Sequence, residues 1–86
     1  MGYSTRIKRS AARELARVSR RDRERIVHVI DRLADNPLAG SPLKGDLRGL
    51  RRVRVGDYRV VYEVLDGELV VLVVLVAHRR EVYRRR

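Results

Sequence analysis

The sequence predicts an α+β domain of order βααβββ: an antiparallel sheet with a helical hairpin packed on one face. Three observations carry this. Apolar residues recur at helical spacing through two consecutive segments between residues 10 and 34. Three β-branched-rich runs follow between residues 50 and 76, divided by the turn pairs Gly56-Asp57 and Asp66-Gly67. A short alternating run precedes the helices. Residues 1–86 read as a single domain, with no repeat, linker or low-complexity tract.

Each element has its own local reason. Tyr3, Thr5 and Ile7 alternate with polar residues, the period of a half-buried strand. Ser10 offers an N-cap, and Ala11, Ala12, Leu15 and Val18 follow at helical spacing. Ser19, with Asp22 three residues on, marks a second helix start. The apolar stripe of that helix is Ile26, Val27, Ile30, Leu33 and Ala34. Asn36-Pro37 ends it, because the residue before proline avoids the α region. Residues 36–48 contain Pro37, Gly40, Pro42 and Gly45 and read as a loop. The strands are expected at Leu50–Val55, Tyr58–Leu65 and Leu69–Val76. Gly56-Asp57 suits a type II′ turn and Asp66-Gly67 a type I′ turn, each of two residues.

Composition bounds the function. Lys plus Arg total 21 against 11 Asp plus Glu, a net charge of +10 carried mostly by arginine. That balance favours a polyanionic partner. Without cysteine there is no disulfide and no thiolate metal site. His28 and His78 are too few for a structural zinc site without carboxylate help, and no metal or cofactor is expected. His28 should lie at the edge of the buried face of its helix and is given no function. The N-terminus has no apolar run of signal-peptide length. The longest apolar run, Leu69 to Ala77, is too short to span a bilayer as a helix. A cytoplasmic protein with no membrane partner is the expectation.

The two-residue turn at 56–57 sets a register. Val55 then faces Tyr58, Arg54 faces Arg59, Val53 faces Val60 and Arg52 faces Val61. Side chains alternate between sheet faces. Val53, Val55, Tyr58, Val60, Tyr62 and Val64 form the face that the helices must cover. Arg52, Arg54, Arg59, Val61 and Glu63 form the other, exposed face. Arg54 and Arg59 repel across the strands, and Arg52 follows roughly 6.6 Å along. Such crowding is explained if an anion sits there, because the guanidinium fork binds phosphate oxygens bidentately and keeps its charge.

The last strand is apolar on both faces. Its non-core positions are read as Val70, Leu72, Val74 and Val76, so the strand is either central and covered twice or partly exposed for a partner. The same turn arithmetic puts Val74 opposite Arg59, with His78 four residues beyond. Tyr83 reaches the arginine patch if the tail folds back. Arg84 to Arg86 read as a solvated tail.

An ordered set of strings runs through most of the chain: Leu43-Lys44-Gly45, then Arg52 to Glu63 with Gly56-Asp57-Tyr58-Arg59 at its centre, then His78-Arg79-Arg80-Glu81-Val82-Tyr83. Together with Asn36-Pro37 they resemble the RelE family of bacterial and archaeal toxins. The resemblance implies a toxin of a type II toxin–antitoxin system, a ribosome-dependent endoribonuclease that cleaves mRNA in the A site. It implies a cognate antitoxin that wraps the toxin, the two binding operator DNA through the antitoxin. Arg52 and Arg54 stand where well-known members carry lysines. Arg59 matches the arginine thought to hold the scissile phosphate, Arg79 the one proposed to assist the leaving group, and Tyr83 the proposed general base. His78 aligns with a position that is basic in several members, and Arg80 is counted with the RNA-binding residues. The chain ends three residues after Tyr83, whereas some members carry a long C-terminal helix.

The chemistry bears on the proton. Cleavage by the 2′-OH needs a base, positive charge on the phosphorane and a proton for the 5′ oxygen; fixed charge serves the second need. Arginine, with a pKa above about 12, is a poor proton donor. The proton falls to Tyr83 or His78, and a tyrosine among arginines would have its pKa lowered from about 10. Two rivals stand beside this reading. One is a ParE-like inhibitor of DNA gyrase with the same fold and no hydrolysis. The other is a simple RNA-binding module, disfavoured because the chain has no Phe or Trp and Tyr58 and Tyr62 fall on the core face.

Overall fold

The computed structural model describes residues 2–79. In chain order it holds strand β1 (Ser4–Ile7), helices α1 (Arg9–Arg17) and α2 (Arg20–Leu33), then strands β2 (Ser41–Pro42), β3 (Leu50–Val55), β4 (Tyr58–Leu65) and β5 (Val70–His78). The strands lie in the order β1-β5-β4-β3-β2. The expected helices-on-sheet arrangement is present, with two corrections. β1 runs parallel to β5, Ser4 opposite Val70 and Ile7 opposite Val73, so the sheet is mixed rather than antiparallel throughout. The 36–48 segment, expected as loop alone, contributes the two-residue edge strand β2, with Ser41 opposite Arg52 and Pro42 opposite Arg51. Proline is tolerated there because an edge strand can spare a donor.

α1 begins at Arg9, one residue before the expected cap. Lys8 stands at the N-cap without a side-chain bond, because its N–H closes the β1–β5 ladder on the Val73 carbonyl at 2.8 Å. The chain thus passes from strand to helix directly, and Ser10 falls inside the first turn. α2 is capped as expected: Ser19 Oγ accepts from the Asp22 N–H at 3.4 Å. Ala11, Leu15 and Val18 pack from the first helix, Ile26, Ile30 and Leu33 from the second. Ala12 and Val27, read as core from spacing, are exposed instead. On a 100° wheel Val27 is a quarter-turn from Ile26, off the stripe that meets the sheet. Ile26, Val60, Tyr62, Val71 and Val73 form the deepest layer. Among the described residues no helix is long and apolar enough to cross a membrane.

The β4–β5 connection departs most from expectation. A three-residue 3₁₀ turn, Asp66–Glu68, replaces the two-residue turn, and Leu69 takes a left-handed conformation with φ 55° and ψ 48°. Leu65 then pairs with Val70. A bulge follows: Val61 pairs with Leu75 but Tyr62 with Val73, leaving Val74 as the extra residue. Together these place Ala77, not Val74, opposite Arg59. The bulge also switches the inward row, so Val73 and Val76 both join the helix-side core although three residues apart. Val76, read as non-core, is therefore core. β5 lies centrally, between β1 and β4. Neighbours on both edges do not cover its second face, where Leu72 and Leu75 are half-buried.

Candidate nucleic-acid interface

The β3–β4 hairpin has the register its sequence predicts: Val55 opposite Tyr58, Arg54 opposite Arg59, Val53 opposite Val60, Arg52 opposite Val61. Gly56 has φ +59° and Asp57 has no positive φ, which is the pattern of a type II′ turn. In an antiparallel ladder closed by such a turn, the second pair is non-hydrogen-bonded and its side chains approach more closely. Arg54 and Arg59 occupy that pair. Arg54 is exposed, Arg52 half-buried. Arg59, read as exposed, is half-buried too. Its strand lies inside the sheet, where Arg54 and Ala77 flank it from either side. The patch is thus three guanidiniums on the face away from the helices.

The end of β5 comes to this hairpin at its turn. The Arg79 N–H donates to the Asp57 carbonyl at 2.6 Å, and Arg79 Nε lies 3.7 Å from Asp57 Oδ1. A carboxylate at Nε leaves the outer edge of the guanidinium available to a second anion. His78 pairs directly with Tyr58, and their rings meet edge to face at 5.3 Å. That row is the helix-side row of Tyr58, Val60 and Tyr62, not the row of Arg54 and Arg59. The structure therefore brings Arg52, Arg54 and Arg59 together and Arg79 to the adjoining turn, while His78 points to the other side of the sheet. Arg80 and Tyr83 lie outside the described residues, as do Arg84 to Arg86.

Behind the patch is a clip that local sequence did not reveal. Tyr62 is fully buried. Its hydroxyl donates to the Pro37 carbonyl at 2.7 Å and accepts from the Gly40 N–H at 2.9 Å. Burial pushes its phenol above the usual 10.0, opposed by the Gly40 bond and the Arg51 charge. Arg51, opposite Tyr62, donates to the Gly40 carbonyl at 2.7 Å. A side chain at Gly40 would meet the Arg52 carbonyl and the Tyr62 hydroxyl, each at 2.7 Å from its Cβ. The clip thus fastens residues 37–40 against the strand that carries Arg52 and Arg54. The one legible signal was Pro37 and Gly40 in a short loop; the tyrosine that binds them is more than twenty residues away.

A family model for the ParE toxin of type II toxin–antitoxin systems matches residues 5–83. The chain belongs to the RelE/ParE family of type II toxins. It is a RelE-like member: Toxin RelE of Mycobacterium tuberculosis is 40% identical over 84 residues, covering 95% of this chain and 87% of that protein. Toxin RelG of the same organism is 33% identical over 87 residues, covering 99% of this chain and 100% of that protein. In structure, this RelE-like toxin matches the toxin–antitoxin complex RelBE2 from Mycobacterium tuberculosis with a TM-score of 0.86 at 31% identity, covering 92% of this chain and 100% of that one. The archaeal RelE–RelB complex from Pyrococcus horikoshii gives a TM-score of 0.77 at 26% identity over 95% of this chain and 100% of that one. The two helices on a mixed five-stranded sheet are thus the architecture of RelE-like toxins.

Proposed function

We propose that this toxin is a ribosome-dependent endoribonuclease that cleaves mRNA in the A site and so stops translation. The observation that carries the reading is the direct pairing of Arg54 with Arg59 on the face turned away from the helices. Like charges opposed across a ladder disfavour the fold, and a bound phosphate offsets that cost. In this reading Arg59 holds the scissile phosphate, with Arg52, Arg54 and Arg80 along the RNA. The 2′-oxygen forms a bond to the adjacent phosphorus as the 5′-oxygen leaves. Arg79, tethered at Asp57, stabilises the leaving oxygen. Tyr83 takes the 2′ proton. His78 is the second candidate for that step, and its edge contact with Tyr58 on the opposite row supports Tyr83 over it.

A cognate antitoxin is the proposed protein partner, and with it binding of the complex to operator DNA through the antitoxin. Leu72 and Leu75, both half-buried, share the open face with the arginines by register. A segment bearing both acidic and apolar residues is complementary to that mixture. The toxin is proposed to act in the cytoplasm without metal or cofactor.

The test is purified ribosomes, a defined mRNA and the toxin. Cleavage within a codon is expected, and only when ribosomes are present. The ParE description of the matching family favours one second reading, inhibition of DNA gyrase. Intact mRNA alongside blocked gyrase supercoiling would overturn the first reading in favour of the second.

A further inference from the structure

Helix α2 carries another basic surface, which the proposed cleavage chemistry does not use. Arg21, Arg25 and Arg32 recur at intervals of four and seven residues, so they fall within about 40° of one another around the helix. His28 lies on the same flank, and all four residues are exposed. Over the eleven steps from Arg21 to Arg32 the flank is about 16 Å long.

This flank adjoins the hairpin. Arg21, Glu24, Arg25, His28, Arg54 and Gly56 line one cleft between α2 and the β3–β4 turn, together with the half-buried Val29 and the buried Val55. The Arg25 guanidinium approaches the turn so closely that a Cβ on Gly56 would lie 3.3 Å from it. The basic flank of α2 therefore borders the same turn as Arg54, whose side chain lies on the opposite face of the sheet. The nearby acids are partly neutralised. Glu24 is engaged by Arg20 Nε at 3.2 Å, and Asp22 lies 3.7 Å from Arg25. Asp35 shares a groove with Arg32 at the far end, and Asp31 is about a quarter-turn away.

The arrangement works against the helix that bears it. Arg21 sits in the first turn, where the helix dipole disfavours cations. Arg25 repels it from one turn on. No large exposed apolar side chain lies on this flank among the described residues; the exposed ones are Ile7, Val27, Leu38 and Leu69. A protein partner would need such an anchor at the interface core. No aromatic lies there to stack single-stranded bases either. A row of guanidiniums without anchors or stacking groups suits a duplex backbone, which is recognised by shape and phosphate contacts.

We infer that the Arg21–Arg25–Arg32 flank of α2 grips the phosphate backbone of a double-helical RNA segment, as a docking surface separate from the strand being cut. The choice of RNA over DNA rests on the endoribonuclease reading above; the geometry of the flank does not. The experiment is fluorescence anisotropy across a salt series, with a labelled RNA stem-loop, the DNA stem-loop of the same sequence and a single-stranded RNA. Wild type is compared with R21Q/R25Q/R32Q and with R9Q/R13Q/R17Q, which removes the same charge from exposed positions of α1. Glutamine keeps helix propensity, and melting curves check each fold. The single variant R21Q serves if the triple variant melts early.

The α2 triple variant is expected to bind the RNA stem-loop about tenfold or more weakly, and its log–log salt slope to be shallower by about two to three. R21Q should flatten the slope by about one. The α1 variant should change both far less. Equal losses in the two triple variants would reduce the effect to net charge and overturn the proposal. So would unchanged RNA binding, failure of wild type to bind the stem-loop, or a loss confined to DNA. The ribosome assay separates the two ideas. Intact mRNA with a flank-dependent RNA affinity sinks only the cleavage reading, whereas cleavage with a flank-independent affinity sinks only this one.

Discussion

The two faces of the β3–β4 hairpin are built from alternate residues of the same two strands, yet they follow opposite rules. On the helix side Val55, Val60 and Tyr62 are buried, and Tyr62 satisfies its hydroxyl on both the Pro37 carbonyl and the Gly40 N–H. On the other side Arg54 opposes Arg59, an arrangement that costs stability in the free protein. The contrast separates a covered face that holds the fold from an open face whose charge the proposed RNA contact would use. Substitutions on the two faces should therefore separate stability from activity.

Ile26 is fully buried in the layer beneath the covered face. Ile26→Ala is expected to lower unfolding free energy by about 2–5 kcal/mol, read from the urea midpoint. In a small domain whose total is about 5–15 kcal/mol, that is a large fraction. The folded remainder should keep its affinity for RNA, and a parallel loss of affinity would break the separation of faces.

Arg59→Ala is the reverse case. Ribosome-dependent cleavage should fall by about a hundredfold or more, while the melting temperature stays within a few degrees of wild type. Full cleavage by the folded variant would remove the open face from the chemistry.

Tyr62→Phe keeps the ring and removes the hydroxyl, leaving the Gly40 N–H and the Pro37 carbonyl without it. The expected cost is about 1–3 kcal/mol, with faster hydrogen exchange at the Gly40 amide. Unchanged exchange would mean that the clip is not what fastens residues 37–40.

Arg54→Thr carries the smallest effect and an unusual sign. Relief of the opposed pair should raise stability by about 0.2–1 kcal/mol, while RNA affinity falls. A variant that loses both stability and affinity would show that Arg54 supports the fold through its own packing.

How much was legible varies by region, and the reason is sequence distance. The hairpin register could be read because Gly56 can take the positive φ its turn demands and the partner residues are adjacent in the chain. One turn later the same arithmetic missed by three residues. Asp66-Gly67 looked like a tight turn, but the chain used a 3₁₀ turn and a left-handed Leu69, and Val74 then bulged out of the ladder. Neither event has a local sequence signal. Their effect is large: His78 moves from beyond the patch to a position against Tyr58. Likewise Ser19 could be read as a cap for α2, whereas Lys8 displaced Ser10 because its amide was needed by a strand more than sixty residues away.

The sequence by itself determined the order of the two helices and the four longer strands, the capped second helix and the opposed arginines, because periodicity, capping and turn chemistry act between near neighbours. Only the tertiary structure decided that β1 runs parallel to β5, that Arg79 meets Asp57, that Tyr62 clips the loop behind the arginines, and that the basic flank of α2 adjoins Arg54. Each of those depends on packing between segments far apart in the chain, where the balance of burial and backbone hydrogen bonding across the whole sheet outweighs any local preference.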